Sequence, residues 1–192
     1  MFRTTHLLVG LLIIGLLCVS GCEKTPTSVN TPLGAEEPNG QVLELFGGQP
    51  GWIPIAVRTR VEAFRINPIM KGESEPEEGE EKELLFAGYP ILSGPINVDK
   101  NMADAFALIL ADSDTYAWDV AKACEFEPGV GVRFVGVDSS TEILFCFSCD
   151  ELQIVRDRKR VGHEDTDSAR GHLIKIVQNI FPDDKIIQGL KE

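Results

Sequence analysis

The sequence predicts an α+β fold, a mostly antiparallel sheet of three to five strands with two packed helices. Three observations carry that prediction. The chain has 192 residues, 43% of them hydrophobic, which is enough for one ordinary domain with a real core. Val130, Val132 and Phe134 alternate, as do Ile143, Phe145 and Phe147, on either side of the turn-forming run Asp138, Ser139, Ser140, and this is the pattern of a β-hairpin. Residues 97–111 and 167–181 instead repeat apolar side chains at spacings of three and four, the period of an amphipathic helix packed on a sheet.

The N-terminus has one positive charge at Arg3, an apolar run over residues 7–19, and the small residues Ser20 and Gly21 directly before Cys22. That order is the layout of a secretory signal. As a helix the run reaches about 20 Å against about 30 Å of bilayer hydrocarbon, so cleavage fits better than permanent spanning. Val19, Ser20, Gly21 and Cys22 resemble the lipobox of bacterial lipoproteins, in which the cysteine receives a diacylglyceryl group and becomes the first residue of the mature chain. The resemblance implies a signal peptide over residues 1–21, a covalent lipid on Cys22, and a protein anchored to a membrane of the bacterial cell envelope on its extracytoplasmic side. The residue types suit that chemistry: small side chains admit a peptidase to the backbone, and the thiol is the nucleophile that accepts lipid. Acyl chains on one residue hold a protein without a crossing helix. Cys18 falls in the discarded run, and Glu23 leaves inner and outer membrane both open.

Residues 22–51 are rich in Pro, Gly, Thr, Asn and Glu, with Leu43, Leu45 and Phe46 as their apolar cluster, and the composition predicts a flexible tether before a single domain over residues 52–190. Residues 53–66 read as a strand from their Val, Ile and Phe content, although Val57, Val61 and Ile66 do not share one parity; Pro68 closes the segment. Residues 73–83 hold seven Glu and one Lys around Pro76 and Gly79, which predicts a solvated acidic loop. They lack the fixed ligand spacing of a calcium loop. Residues 84–92 read as a second, edge strand, because Pro90 cannot donate to a central ladder.

In the first helix Met102, Ala105, Phe106, Ile109 and Leu110 share a face behind candidate caps Asn97 and Asp99. After the hairpin, a third strand runs through Leu152, Ile154 and Val155 into a basic turn of Arg156, Arg158, Lys159 and Arg160. Such a run is a solvated turn by default, with anionic headgroups as a further contact, worth about 1 kcal/mol per charge. In the last helix Leu173, Val177 and Ile180 share a face, Asp167 or Ser168 serves as cap, and Pro182 stops it.

Composition also excludes functions. With 30 acidic against 18 basic side chains the formal charge is −12, which disfavours nucleic-acid binding. Removing residues 1–21 takes away Arg3 and leaves the mature chain one unit more acidic. Five cysteines are too few for a disulfide-built miniprotein. No G-x-S-x-G, phosphate-binding glycine loop, dinucleotide fingerprint or H-E-x-x-H is present. The cluster His163, Glu164, Asp165 and Asp167 reads as turn and cap chemistry rather than a hydrolytic site, and no catalytic residue is assigned.

Cys124, Cys146 and Cys149 remain for the fold. Cys146 and Cys149 form C-x-x-C, but a thioredoxin-like motif works at a helix N-terminus, and this one ends a strand pattern. Continuing the strand's parity puts Cys149 on the core face, with Cys124 and Phe126 beside it and Cys146 on the other face. The favoured pairing is a structural disulfide between Cys124 and Cys149, with Cys124 and Cys146 as the second choice. A zinc site from Cys124, Cys146, Cys149 and a fourth ligand, His163 or His172, is the alternative.

The order Cys124, Phe126, Pro128, Gly129, Val130 (CxFxPGV), then Cys146, Phe147 and Cys149 (CFxC), ending at Phe181 and Pro182, is similar to a family of small uncharacterised bacterial proteins, many of them lipoproteins by sequence. The likeness spans about the last 70 residues, and implies that the three cysteines belong to one site. The expected function is a lipid-anchored envelope protein with a structural or binding role; a thiol-redox or zinc enzyme using the three cysteines is the alternative. The membrane is the one partner read from the sequence, which does not reveal a protein or small-ligand partner.

Overall fold

The computed structural model describes residues 37–70 and 84–192. The signal segment, Cys22, the first part of the expected tether and the whole acidic segment over residues 73–83 lie outside the described residues. The order of elements is α1 (Gly40–Leu45), α2 (Gln49–Ala56), β1 (Arg60–Ile66), β2 (Leu85–Phe86), β3 (Tyr89–Asn97), α3 (Lys100–Ala111), β4 (Val130–Val135), β5 (Ser140–Cys146), β6 (Glu151–Arg156), β7 (Lys159–Asp165), α4 (Arg170–Ile180) and α5 (Lys185–Gln188). All pairings are antiparallel, in the order β2-β3-β1-β4-β5-β6-β7. The architecture is therefore α+β, with seven strands among the described residues where three to five were expected, and five α-helices among them where two were.

The predicted hairpin forms with Val130 opposite Phe145, Val132 opposite Ile143 and Phe134 opposite Thr141. Their apolar members, with Leu152 and Ile154 of β6, meet Phe106 and Leu110 of α3 and Leu173 and Val177 of α4 in the main core. Phe106 anchors it between the rings of Phe134 and Phe145, 6.4 and 5.8 Å away. Each such buried side chain contributes about 2 to 3 kcal/mol.

Four readings of the sequence need correction. The tether gives way at Gly40: Asn39 caps α1 by accepting a hydrogen bond from the Val42 amide, and Val42, Leu45 and Phe46 are buried in the main core. The strand expected over residues 53–66 starts only at Arg60, because residues 53–56 close α2, whose Pro50 and Pro54 hide its helical character from propensity. Residues 84–92 are not one edge strand but a tight hairpin of β2 and β3, with Ala87 and Gly88 at positive φ in the turn. The basic residues after Arg156 turn through Asp157 and Arg158, both at positive φ, and enter the unforeseen strand β7.

β1 lies between β3 and β4 and is covered on both faces, which explains its broken alternation. Val61 and Ala63 face the helices, whereas Phe64 and Ile66 join a second cluster on the opposite face with Phe86, Tyr89, Leu144 and Val155. Gly131 belongs to that face, and a Cβ there would come within 2.5 Å of the Phe86 ring.

Asp99, not Asn97, caps α3, accepting from the amides of Asn101 and Met102. The C-terminal carbonyls of α3 are satisfied by the chain that follows: Thr115 Oγ1 donates to Ile109 and Tyr116 OH to Leu110, at 2.5 and 2.8 Å. Neither Asp167 nor Ser168 caps α4. A turn of 3-10 helix precedes it there, and the Asp167 amide instead donates to the Asp165 carboxylate. Among the described residues no helix is long and apolar enough to cross a membrane.

Candidate functional site

The site is built where β5 turns into β6. β5 ends at Cys146, residues 147–150 form the turn with Asp150 at φ 58°, and β6 begins at Glu151. Antiparallel register places Cys146 opposite Glu151 and Glu151 opposite Asp165, so three polar side chains from β5, β6 and β7 form one row across the sheet. The next row sets Leu144, Gln153 and His163 abreast on the same face, the one turned away from the helices.

Cys124 and Cys149 lie at disulfide distance, with their Cα atoms 6.0 Å apart. Cys124 is exposed, Cys149 is buried, and Cys146 is a buried free thiol. Ser148 Oγ stands 3.1 Å from the Cys146 sulfur and 4.0 Å from that of Cys149, so the C-x-x-C sulfurs lie to either side of one hydroxyl. Strand parity ends at Cys146, and the turn over residues 147–150 brings Cys149 to Cys124. Phe126 also departs from expectation: it packs with the second cluster and edge-on to His163, centroids 5.7 Å apart, rather than among the helices.

An ionic knot fastens this corner. Lys122 Nζ donates to the Cys149 carbonyl at 2.7 Å, lies 2.7 Å from Asp165 Oδ2 and reaches Asp167 Oδ1 at 2.8 Å. Burial disfavours the ammonium, but the two carboxylates outweigh that and hold its pKa above the ordinary lysine value. The same hydrogen bond from Lys122 is the main cause that lowers the pKa of Asp167. Arg170 clasps the turn from α4, donating to the Phe147 carbonyl and to the Asp150 carboxylate. Even so, burial leaves Asp150 with a raised pKa.

His163, Glu164 and Asp165 are thus strand residues of β7 and not the cap cluster expected before the last helix. With residues 119–122 and Glu151 they line a cleft of about 360 Å³ beside the cysteine pair. His163 Nε2 lies 3.4 Å from Glu151 Oε2. His172, the other candidate fourth zinc ligand, borders a different groove with Asp112 and Asp114. Among the described residues no group of three or more His, Cys, Asp or Glu side chains is placed to hold a metal.

Sequence reasoning missed Lys122 and Glu151. Both depend on register across two turns, which no local pattern reports. The basic residues Arg158, Lys159 and Arg160 are exposed at the β6–β7 tip. Tyr89 of the β2–β3 hairpin completes the second face, its pKa raised by burial and by the nearby Cys146. No protein-family model, curated protein or solved structure matches the chain.

Proposed function

We propose that the chain is a lipid-anchored protein of the cell envelope, exported, cut before Cys22 and acylated there, whose α+β domain serves as a disulfide-braced binding module. The observation that carries this reading is the cysteine pair. Cys124 and Cys149 sit at disulfide distance in a chain that begins with an export-type segment, and such bridges persist outside the reducing cytosol. A structural bridge also accounts for the setting better than thiol catalysis does. The two cysteines of the C-x-x-C are not partners, Cys149 and Cys146 are both buried, and the motif lies in a β-turn rather than at a helix N-terminus.

Metabolic labelling with a fatty acid tests the anchor. Wild-type chain takes up label and Cys22→Ser does not; equal labelling of the two overturns the anchor. The alternative of a thiol-redox or zinc enzyme using Cys124, Cys146 and Cys149 is tested on the same preparation. Insulin reduction, or stoichiometric zinc lost with these cysteines while the fold persists, replaces the binding module with an enzyme.

A further inference from the structure

We propose that the cleft between β7 and residues 119–122 binds a small organic cation, a primary amine or guanidinium on a slender chain. This rests on the reading of the domain as a binding module, and is independent of the lipid anchor. Four carboxylates line the cleft, those of Asp119, Glu151, Glu164 and Asp165, against one ammonium, that of Lys122, and the imidazole of His163. Its volume of about 360 Å³ lies within the range of small-molecule sites.

The charge of Lys122 is already committed to Asp165 and Asp167. Glu151 is not matched in this way. The residue is 7% exposed, and the only basic group within 4 Å of its carboxylate among the described residues is His163 Nε2, at 3.4 Å and not hydrogen-bonded to it. Lining the cleft and shielded from bulk water by the fold, this carboxylate offers an entering cation a charge-assisted hydrogen bond. The adjoining cradle shows which cation suits the corner, since it already holds an ammonium between two carboxylates and a carbonyl oxygen. A divalent metal suits it less, because such ions need several oxygens converging on one point. Anions are repelled by the same excess of carboxylates.

The test uses the lipidated chain in detergent, titrated by calorimetry with cadaverine and with agmatine at low ionic strength. Saturable binding of at least one is expected. Glu151→Gln is expected to weaken it by about tenfold or more, the loss of one charge-assisted hydrogen bond. Asp119→Asn is expected to weaken it several-fold, and is safe for folding because the site is exposed and asparagine accepts its φ of 67°. Glu192→Gln, at the C-terminus, leaves affinity unchanged. Thermal unfolding followed by circular dichroism reports whether Glu151→Gln folds, and Asp119→Asn decides the matter if it does not. No saturable binding of either amine at millimolar concentration, or undiminished affinity in Asp119→Asn and in folded Glu151→Gln, overturns the proposal. Calcium chloride binding in place of the amines overturns it in favour of a metal. Cys22→Ser binds amines as the wild type does, so failure of the anchor and failure of the cleft give separate results.

Discussion

Lys122 Nζ donates a hydrogen bond to the main-chain carbonyl of Cys149, 2.7 Å away, and so ties the ion cluster of β7 to the turn that carries the cysteine pair. The loop of residues 116–129 is thereby joined to that turn through both Cys124 and Lys122. Replacing Lys122 by Met leaves the buried Asp165 without its counter-ion, and breaking such a pair destabilises by about 2 to 4 kcal/mol when one partner is partly exposed. The raised pKa of Lys122 fixes the sign at the alkaline end: its contribution is complete below the ordinary lysine value of 10.5 and is lost as pH rises through the higher folded value. Denaturant melts of wild type and Lys122→Met are expected to differ most near neutral pH and to converge above pH 10.5. A constant gap across that range overturns this assignment.

The cysteines make a count that a single titration reads. With residues 1–21 removed and Cys22 acylated, the denatured, unreduced protein is expected to show one reactive thiol, that of Cys146. Closing the 25-residue separation between Cys124 and Cys149 restricts the unfolded chain, so the double serine variant loses about 3 kcal/mol. Cys146→Ala, which only trims a buried sulfur, loses about 1 kcal/mol. Three thiols in the unreduced protein rule the bridge out.

Legibility followed the kind of signal each element carries. The β4–β5 hairpin was visible because it buries Val130, Val132, Ile143 and Phe145 at strict alternation. β7 was hidden because an edge strand of Lys159, Arg160, Val161, Gly162, His163, Glu164 and Asp165 has little apolar surface to bury, and Gly162 is there for another reason: the Leu45 carbonyl of α1 lies 1.9 Å from where its Cβ would stand. That contact also explains why a polar, proline-rich stretch joins the domain, since α1 docks by backbone approach as well as by Val42 and Phe46. The favoured cysteine pair is the one found at disulfide distance, although the turn at 147–150, not strand parity, brings it about. Glu151 and Asp165 enter the site through register alone, and register is a property of turn lengths that composition does not encode.

Acid sensitivity is expected at the far end of β1. Arg65, 5% exposed, donates from Nε to Asp184 Oδ2 at 2.6 Å, while the same carboxylate caps α5 through the amides of Ile186 and Ile187. Burial opposes ionisation of Asp184, yet these hydrogen bonds and the guanidinium prevail and lower its pKa. A depressed folded pKa means that the contribution is present above the ordinary value of 3.8 and is lost as pH falls below it. Asp184→Asn keeps the cap but removes the charge facing Arg65, with a loss of about 2 to 4 kcal/mol at neutral pH. Urea melts from pH 7 to pH 2 are expected to show wild type falling towards the variant in acid; parallel curves contradict the ion pair.

The second face gives the sharpest packing test. Phe86 is 0% exposed, tilts against Phe64 with centroids 4.8 Å apart, and lies against the backbone of Gly131. Arg133 stands over both rings at 5.2 and 5.3 Å. A methyl group at position 131 would meet the Phe86 ring at 2.5 Å, so the buried ring or strand β4 has to shift to admit it. Gly131→Ala is therefore expected to destabilise by about 1 to 3 kcal/mol through overpacking, and Phe86→Ala by about 3 to 5 kcal/mol through the cavity it leaves. Because both act on the same volume, they do not add. In the Phe86→Ala background the Gly131→Ala change is expected to be nearly neutral, and the double-mutant cycle to return a coupling of about 1 to 3 kcal/mol. Additive losses in urea denaturation would mean that the β2–β3 hairpin does not close over the second face in solution.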